Sequence, residues 1–175
     1  MSCRPVMSRW LFGKLPALGD FVSRGIERST RDSLDLWLSA AMETARNRFS
    51  DFDERYDRAP AWNFVDVDDA GNWSGGALCA SMDRAGRRFP LIMAAPGADA
   101  AQAVALSGAC LEALYAALAM GWDADELHSA ELSPAQLPWE PRSTEWVLLA
   151  DEGPAYTATE RFPGGIVSVM LEMAL

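Results

Sequence analysis

The sequence is short of the side chains that do chemistry. Among 175 residues there is one histidine, His128, and there are three cysteines, Cys3, Cys79 and Cys110. One histidine cannot make a two-histidine metal site, and no HExxH or CxxC spacing occurs. An odd, widely spaced cysteine set argues against a disulfide framework, so Cys79 and Cys110, in apolar runs, read as small core residues and the chain as one of a reducing cytoplasm. Phosphate-binding loops (GxxxxGK[ST], GxGxxG) and the GxSxG nucleophile elbow are missing. Asp66, Asp68 and Asp69 lack the spacing and closing glutamate of a calcium loop and read as a solvated turn. No cofactor or metal is expected, and Ser/His/Asp or Cys/His catalysis would have to use His128.

Long apolar runs are scarce too. The first ten residues, Met1 to Trp10, contain no apolar core or small-residue cleavage site of a signal peptide. The longest apolar stretch, Ala103 to Met120, is broken by Ser107, Gly108 and Glu112 and reads as a buried helix rather than a span, so no membrane insertion is expected. Lys14 is the sole lysine, and the formal net charge is −10. The charge is uneven: residues 1–88 carry 13 basic and 13 acidic side chains, residues 89–175 carry 2 and 12. Such a chain is a poor partner for nucleic acid, which needs clustered Lys and Arg to neutralise phosphates. The acidic half either keeps the protein soluble or faces a basic partner.

What is present is an ordinary globular balance, with half of the residues hydrophobic and 23% charged. Length and composition fit one domain spanning 1–175. Residues 8–15 read as a strand, Pro16 to Asp20 as a turn and Phe21-Val22 as a second short strand. Ser29-Thr30 opens an amphipathic helix ending near Phe49, with Leu34, Trp37, Leu38, Ala41, Met42 and Ala45 at helical spacing. Residues 50–60 read as a polar loop. Ala61–Val67 reads as a half-buried strand, 68–72 as a turn, and Gly76–Met82 and Arg88–Ala95 as strands joined by 83–87. A helix covered on both faces follows from Ala101 to Met120, stopped by Gly121. Residues 123–143 read as an irregular acidic connection, Glu145–Ala150 as a strand, and 166–175 as strand or helix. The order implies an α/β (α+β) fold, a mainly antiparallel sheet with flanking helices.

Asp20, Arg24 and Arg28 follow the first turn, and Asp83, Arg84, Arg87 and Arg88 crowd the other. Arginine forks bind carboxylates bidentately, within a protein or between proteins. Asp20 or Asp83 therefore either caps a turn and pairs with these arginines, or Asp20, Arg24, Arg84 and Arg87 form a partner surface. Trp37 reads as core; Trp122 and Trp139, in connections, read as possible exposed anchors.

Two stretches carry a resemblance. Trp10-Leu-Phe-Gly-Lys-Leu-Pro-Ala-Leu-Gly-Asp-Phe-Val22 resembles the GKLP-x-x-GDFV opening of the TagF/ImpM family of type VI secretion-associated proteins. Ala80-Ser-Met-Asp-Arg-Ala-Gly-Arg-Arg-Phe-Pro-Leu91 is similar to that family's PS-x-D-x-x-GR-x-FPL segment. Ala59-Pro-Ala-Trp62-Asn-Phe64 is similar to its P-x-W-R-F strand, with Asn63 in place of the usual arginine, and in the second segment Ala80 stands in place of the usual proline. The resemblance implies a longin- or profilin-like sandwich and a non-enzymatic regulator that represses type VI secretion. The implied partner is a cytoplasmic forkhead-associated scaffold protein, with an associated phosphatase for some members. No catalytic residue is carried over. The motif positions have a structural reading of their own: Gly13, Gly19 and Gly86 permit tight backbone, Pro16 and Pro90 stiffen it, and Phe12, Phe21 and Phe89 pack, while Lys14 and Asp83 are further motif positions with a structural reading. A structural or assembly subunit of the apparatus, and a carboxylate-dependent hydrolase, are the alternative readings.

Overall fold

The computed structural model describes residues 8–174, so Cys3 and the reading of the first seven residues lie outside the described part. Seven strands form one sheet: β1 (Trp10–Lys14), β2 (Phe21–Arg24), β3 (Trp62–Val67), β4 (Trp73–Cys79), β5 (Leu91–Gly97), β6 (Glu145–Ala150) and β7 (Gly153–Ala158). Their spatial order is β2-β1-β5-β4-β3-β6-β7, and every pairing is antiparallel. The helices are α1 (Arg28–Arg48), α2 (Phe52–Asp57), α3 (Ala100–Met120), α4 (Ala124–His128) and α5 (Ile166–Glu172). This is the α+β sandwich that the element order implies.

The period of two along each strand divides the apolar side chains between two cores. Phe12, Phe64, Leu78, Ile92, Trp146 and Leu148 face α1, α2 and α5. Leu11, Ala77, Cys79, Leu91 and Met93 face α3 and α4. The central strands are thus buried on both faces. Asn63, read as the polar side of a half-buried strand, is only 3% exposed and donates to Ser107 Oγ of α3 at 3.3 Å. The segment 61–67 is corrected accordingly: its polar positions do not mark a solvent face.

Helix α3 lies so close to β4 that a Cβ at Gly75 would sit 1.7 Å from the Ala103 carbonyl oxygen. Asp99 caps its first turn by accepting from the Gln102 amide at 2.8 Å, and Gly121 ends it in the left-handed region at φ 67°. This helix is long and apolar enough to cross a membrane by composition, yet it packs along β3, β4 and β5. Its outer face is only partly covered. The Ala135 amide bonds the Ala105 carbonyl and Leu137 meets Gly108, while Tyr115 and Met120 stay exposed.

Several boundaries differ from the sequence reading. α1 begins at Arg28 with Glu27 as its cap residue, and no side chain caps it. Residues 52–57, read as loop, form α2, which buries Phe52 and Tyr56 one turn apart. β4 starts at Trp73 and β5 ends at Gly97, three and two residues beyond the expected limits; β4 stops at Cys79 and β5 starts at Leu91, each three residues short, because 80–90 leaves the sheet except for a single bridge between Met82 and Arg88. The connection after α3 contains α4, and the edge strand β7 was not legible. The ambiguous end is helical, as α5.

Candidate functional site

Strand β1 delivers Lys14 to one end of the sheet, and the loop after β4 brings Asp83 to it. Lys14 is 7% exposed and its ammonium lies 3.1 Å from Asp83 Oδ2. The same oxygen accepts from Arg87 Nε at 2.8 Å, while Oδ1 accepts the amides of Ala85 and Arg87, each at 3.0 Å. Burial alone would raise the Asp83 carboxyl. The Arg87 amide, the Lys14 ammonium and the Arg87 guanidinium outweigh it and hold the pKa at about 2, below the ordinary 3.8. A buried carboxylate with four donors is fully satisfied, so it is not a free base.

The two turns are stapled together through backbone carbonyls. Arg84 donates from Nε and Nη2 to the Ala17 oxygen, and its amide donates to the Leu18 oxygen at 2.8 Å. Arg87 Nη2 donates to the Gly19 oxygen at 2.8 Å. Asp20 stays exposed and accepts its neighbour's amide, from Phe21, at 2.8 Å. Beneath the turn, Phe21, Phe12 and Phe89 stack or meet edge-on at 4.8 to 6.0 Å, and the Lys14 ammonium lies 4.9 Å from the Phe21 ring centre. Phe21 remains 44% exposed, a large apolar side chain at the rim.

Glycines make this approach possible. Gly13 has φ 136°, and a Cβ there would overlap the Pro90 carbonyl oxygen at 2.1 Å; Gly86 turns the second loop at φ 80°. Pro16 follows Leu15 in the first turn, while Gly19 supplies an accepting carbonyl and meets no steric limit.

Sequence reasoning missed the support under the loop. The Tyr56 hydroxyl of α2 donates to the Ser81 carbonyl and accepts the Ser81 amide, both at 3.1 Å, and Ser81 Oγ donates to the Lys14 carbonyl at 2.7 Å. Arg88 grips Asp57 bidentately at 2.8 and 2.7 Å and reaches Asp53 at 3.3 Å. Asp53 and Asp57 stand four apart, as do Phe52 and Tyr56, which is the periodic signal that a polar-loop reading passes over.

The structure brings Asp20, Arg84 and Arg87 to one end of the sheet, together with Lys14 and Asp83. Arg24 closes β2 at its far end and is engaged elsewhere, by Asp125 of α4 at 2.7 Å. Trp62 is core, 1% exposed, its indole donating to the Ile166 carbonyl at 3.0 Å. Trp139 is 6% exposed and Trp122 is partly buried against α3, so the expectation of two exposed anchors is corrected: the meander after α4 folds back over that helix. His128 lies on α4 with Nε2 3.2 Å from the Arg9 carbonyl oxygen.

Residues 11–131 match the TagF N-terminal domain, type VI secretion system-associated. The chain belongs to that family. The matched span contains both turns of the TagF motif cluster, the Lys14–Asp83 pair and the whole of α3 and α4. Among solved structures, the crystal structure of PA0076 from Pseudomonas aeruginosa PAO1 is similar in fold, with a TM-score of 0.67 at 23% identity over 94% of each chain. No curated protein matches significantly. As a TagF-domain protein, the chain is an accessory component associated with type VI secretion.

Proposed function

We propose that this chain is a non-enzymatic, cytoplasmic regulator that restrains type VI secretion by binding a forkhead-associated scaffold protein, with an associated phosphatase as a further partner. The observation that carries this reading is the state of the charged groups in the motif cluster. The buried Asp83 carboxylate is spent on Lys14, Arg87 and two backbone amides, which leaves no free carboxylate for chemistry. What the cluster offers outward is a rigid, stapled turn with exposed Asp20, Phe21 and the outer parts of Arg84 and Arg87. A preorganised turn with an apolar rim and flanking charge suits binding rather than turnover, because little ordering is needed on association.

The test is co-purification with the forkhead-associated protein of the same secretion system. Asp20→Arg changes an exposed position whose side chain bonds only its neighbour's amide and leaves the staples intact, so binding should fall at least tenfold with the melting temperature within a few degrees of wild type. Arg84→Glu with Arg87→Glu is a poorer probe, since both guanidiniums hold backbone carbonyls of the first turn. Stoichiometric retention in the purified assembled apparatus, with no complex in isolation, would replace the regulator with an assembly subunit.

A further inference from the structure

At the opposite end of β1 from Lys14, Trp10 helps to line a cleft of about 260 Å³ between the start of α1, the sheet and the segment before α5. Its wall is a continuous aromatic run. Phe64 stacks on Trp146 at 4.2 Å, Trp146 meets Trp37 at 5.5 Å, and Trp37 meets Phe162 at 5.2 Å. The indole N–H groups of Trp37 and Trp146 are already given to the carbonyls of Pro163 and Arg161, at 2.9 and 3.2 Å. The wall therefore presents ring surface and few donors.

The polar lining is acidic. Asp66 accepts from the Thr144 hydroxyl at 2.8 Å, which fixes its carboxylate, and Asp68 lies beside it, held by the turn amides of Ala70 and Asn72. Among the described residues, the one basic residue of the lining is Arg161, whose guanidinium touches Asp66 at 3.3 Å and lies 5.9 Å from the Phe162 ring centre. Its side chain is 65% exposed, so this contact is a loose one that water screens. The volume falls below the usual range of about 300–1,000 Å³ for sites of small molecules and cofactors.

From these contacts we propose that the cleft is a receptor for an arginine side chain of a protein partner, with Arg161 as the resident guanidinium that the partner displaces. The incoming guanidinium pairs with Asp66 and lies along the Trp37–Phe162 rings, while its methylene stem covers the aromatic floor. The complementarity is electrostatic: two carboxylates and π faces attract a cation, and leave an anion only the already paired Arg161. This surface is separate from the motif cluster, so the inference stands whether or not that cluster binds the scaffold.

The experiment titrates the full chain with N-acetyl-arginine amide, followed by tryptophan fluorescence and by NMR shifts of the Trp37 and Trp146 indole N–H groups. N-acetyl-norleucine amide and N-acetyl-glutamate amide are the controls. The arginine amide should saturate, with norleucine about tenfold weaker or worse and glutamate inert. Asp66→Asn should weaken arginine binding about tenfold, and Arg161→Gln should tighten it severalfold by removing the competitor. Phe162→Ala, an exposed position, provides a second loss-of-binding variant should Asp66→Asn disturb the strand ends. Equal binding of norleucine, a preference for glutamate, unchanged affinity in folded Asp66→Asn and Phe162→Ala, or no saturable shift with the wild-type chain would each overturn the proposal.

Discussion

At the scale of single residues, the account turns on Asp83. Its native pKa of about 2 lies below the roughly 3.9 of an unfolded aspartate, so between these values the unfolded chain binds more protons. The stabilisation is complete above the unfolded value and is lost as the pH falls through the native one. Acid denaturation followed by circular dichroism should therefore show a stability that drops between about pH 4 and pH 2, and Asp83→Asn should flatten that drop. Lys14→Met leaves the carboxylate buried without its ammonium and should lower the melting temperature, with part of the loss recovered when Asp83→Asn is added. Tyr56 gives a second residue-scale test. Its hydroxyl serves both backbone groups of Ser81, and burial pushes the phenol well above its ordinary range. Tyr56→Phe should cost about 1–3 kcal/mol in denaturant unfolding. Gly13, Lys14, Asp83, Gly86 and Phe89 were legible because two short motifs name them. Tyr56 and Arg88 gained their roles from a contact between segments distant in sequence, which no local pattern carries.

Among the elements, glycine decides how close α3 comes to the sheet. Gly75 and Gly76 sit side by side on β4, one against the Ala103 backbone and the other against Phe64 and the Met93 carbonyl. Gly75→Ala should destabilise by about 3 kcal/mol or more in thermal unfolding, because the overlapping atom is helix backbone and no rotamer relieves it. The same pair explains why the strand was read from Gly76: glycine contributes no β-propensity and no alternation, so Trp73 to Gly75 gave no strand signal. β7 was hidden for a related reason, being an edge strand of Gly, Pro, Ala, Tyr, Thr and Ala with little burial to impose a pattern. α1 was legible because it repeats an apolar stripe over five to six turns, and α3 because a long apolar run ends at Gly121. The short α2 and α4 hold only one or two turns, too few for a period to stand out among charged neighbours.

Across the whole molecule, one antiparallel sheet separates two cores, and the chemistry-poor composition matches what the interior does with its reactive groups. Cys79 and Cys110 are buried, and burial pushes both thiols up to about 12. In a Cys3→Ser background, native protein should release no thiol to Ellman's reagent at pH 8, and unfolding in guanidinium should release both. The two outward features lie at opposite ends of β1: the stapled turns at Lys14 and the aromatic cleft at Trp10. The family relationship explains the first, whose motif residues build the turn more than they reach beyond it. The measurement closest to the central claim is gel filtration of the full chain mixed with the forkhead-associated protein of its own secretion system. The account predicts a stable complex that Asp20→Arg dissolves while both proteins stay folded. Separate elution of two folded proteins, or a complex indifferent to that variant, would contradict it.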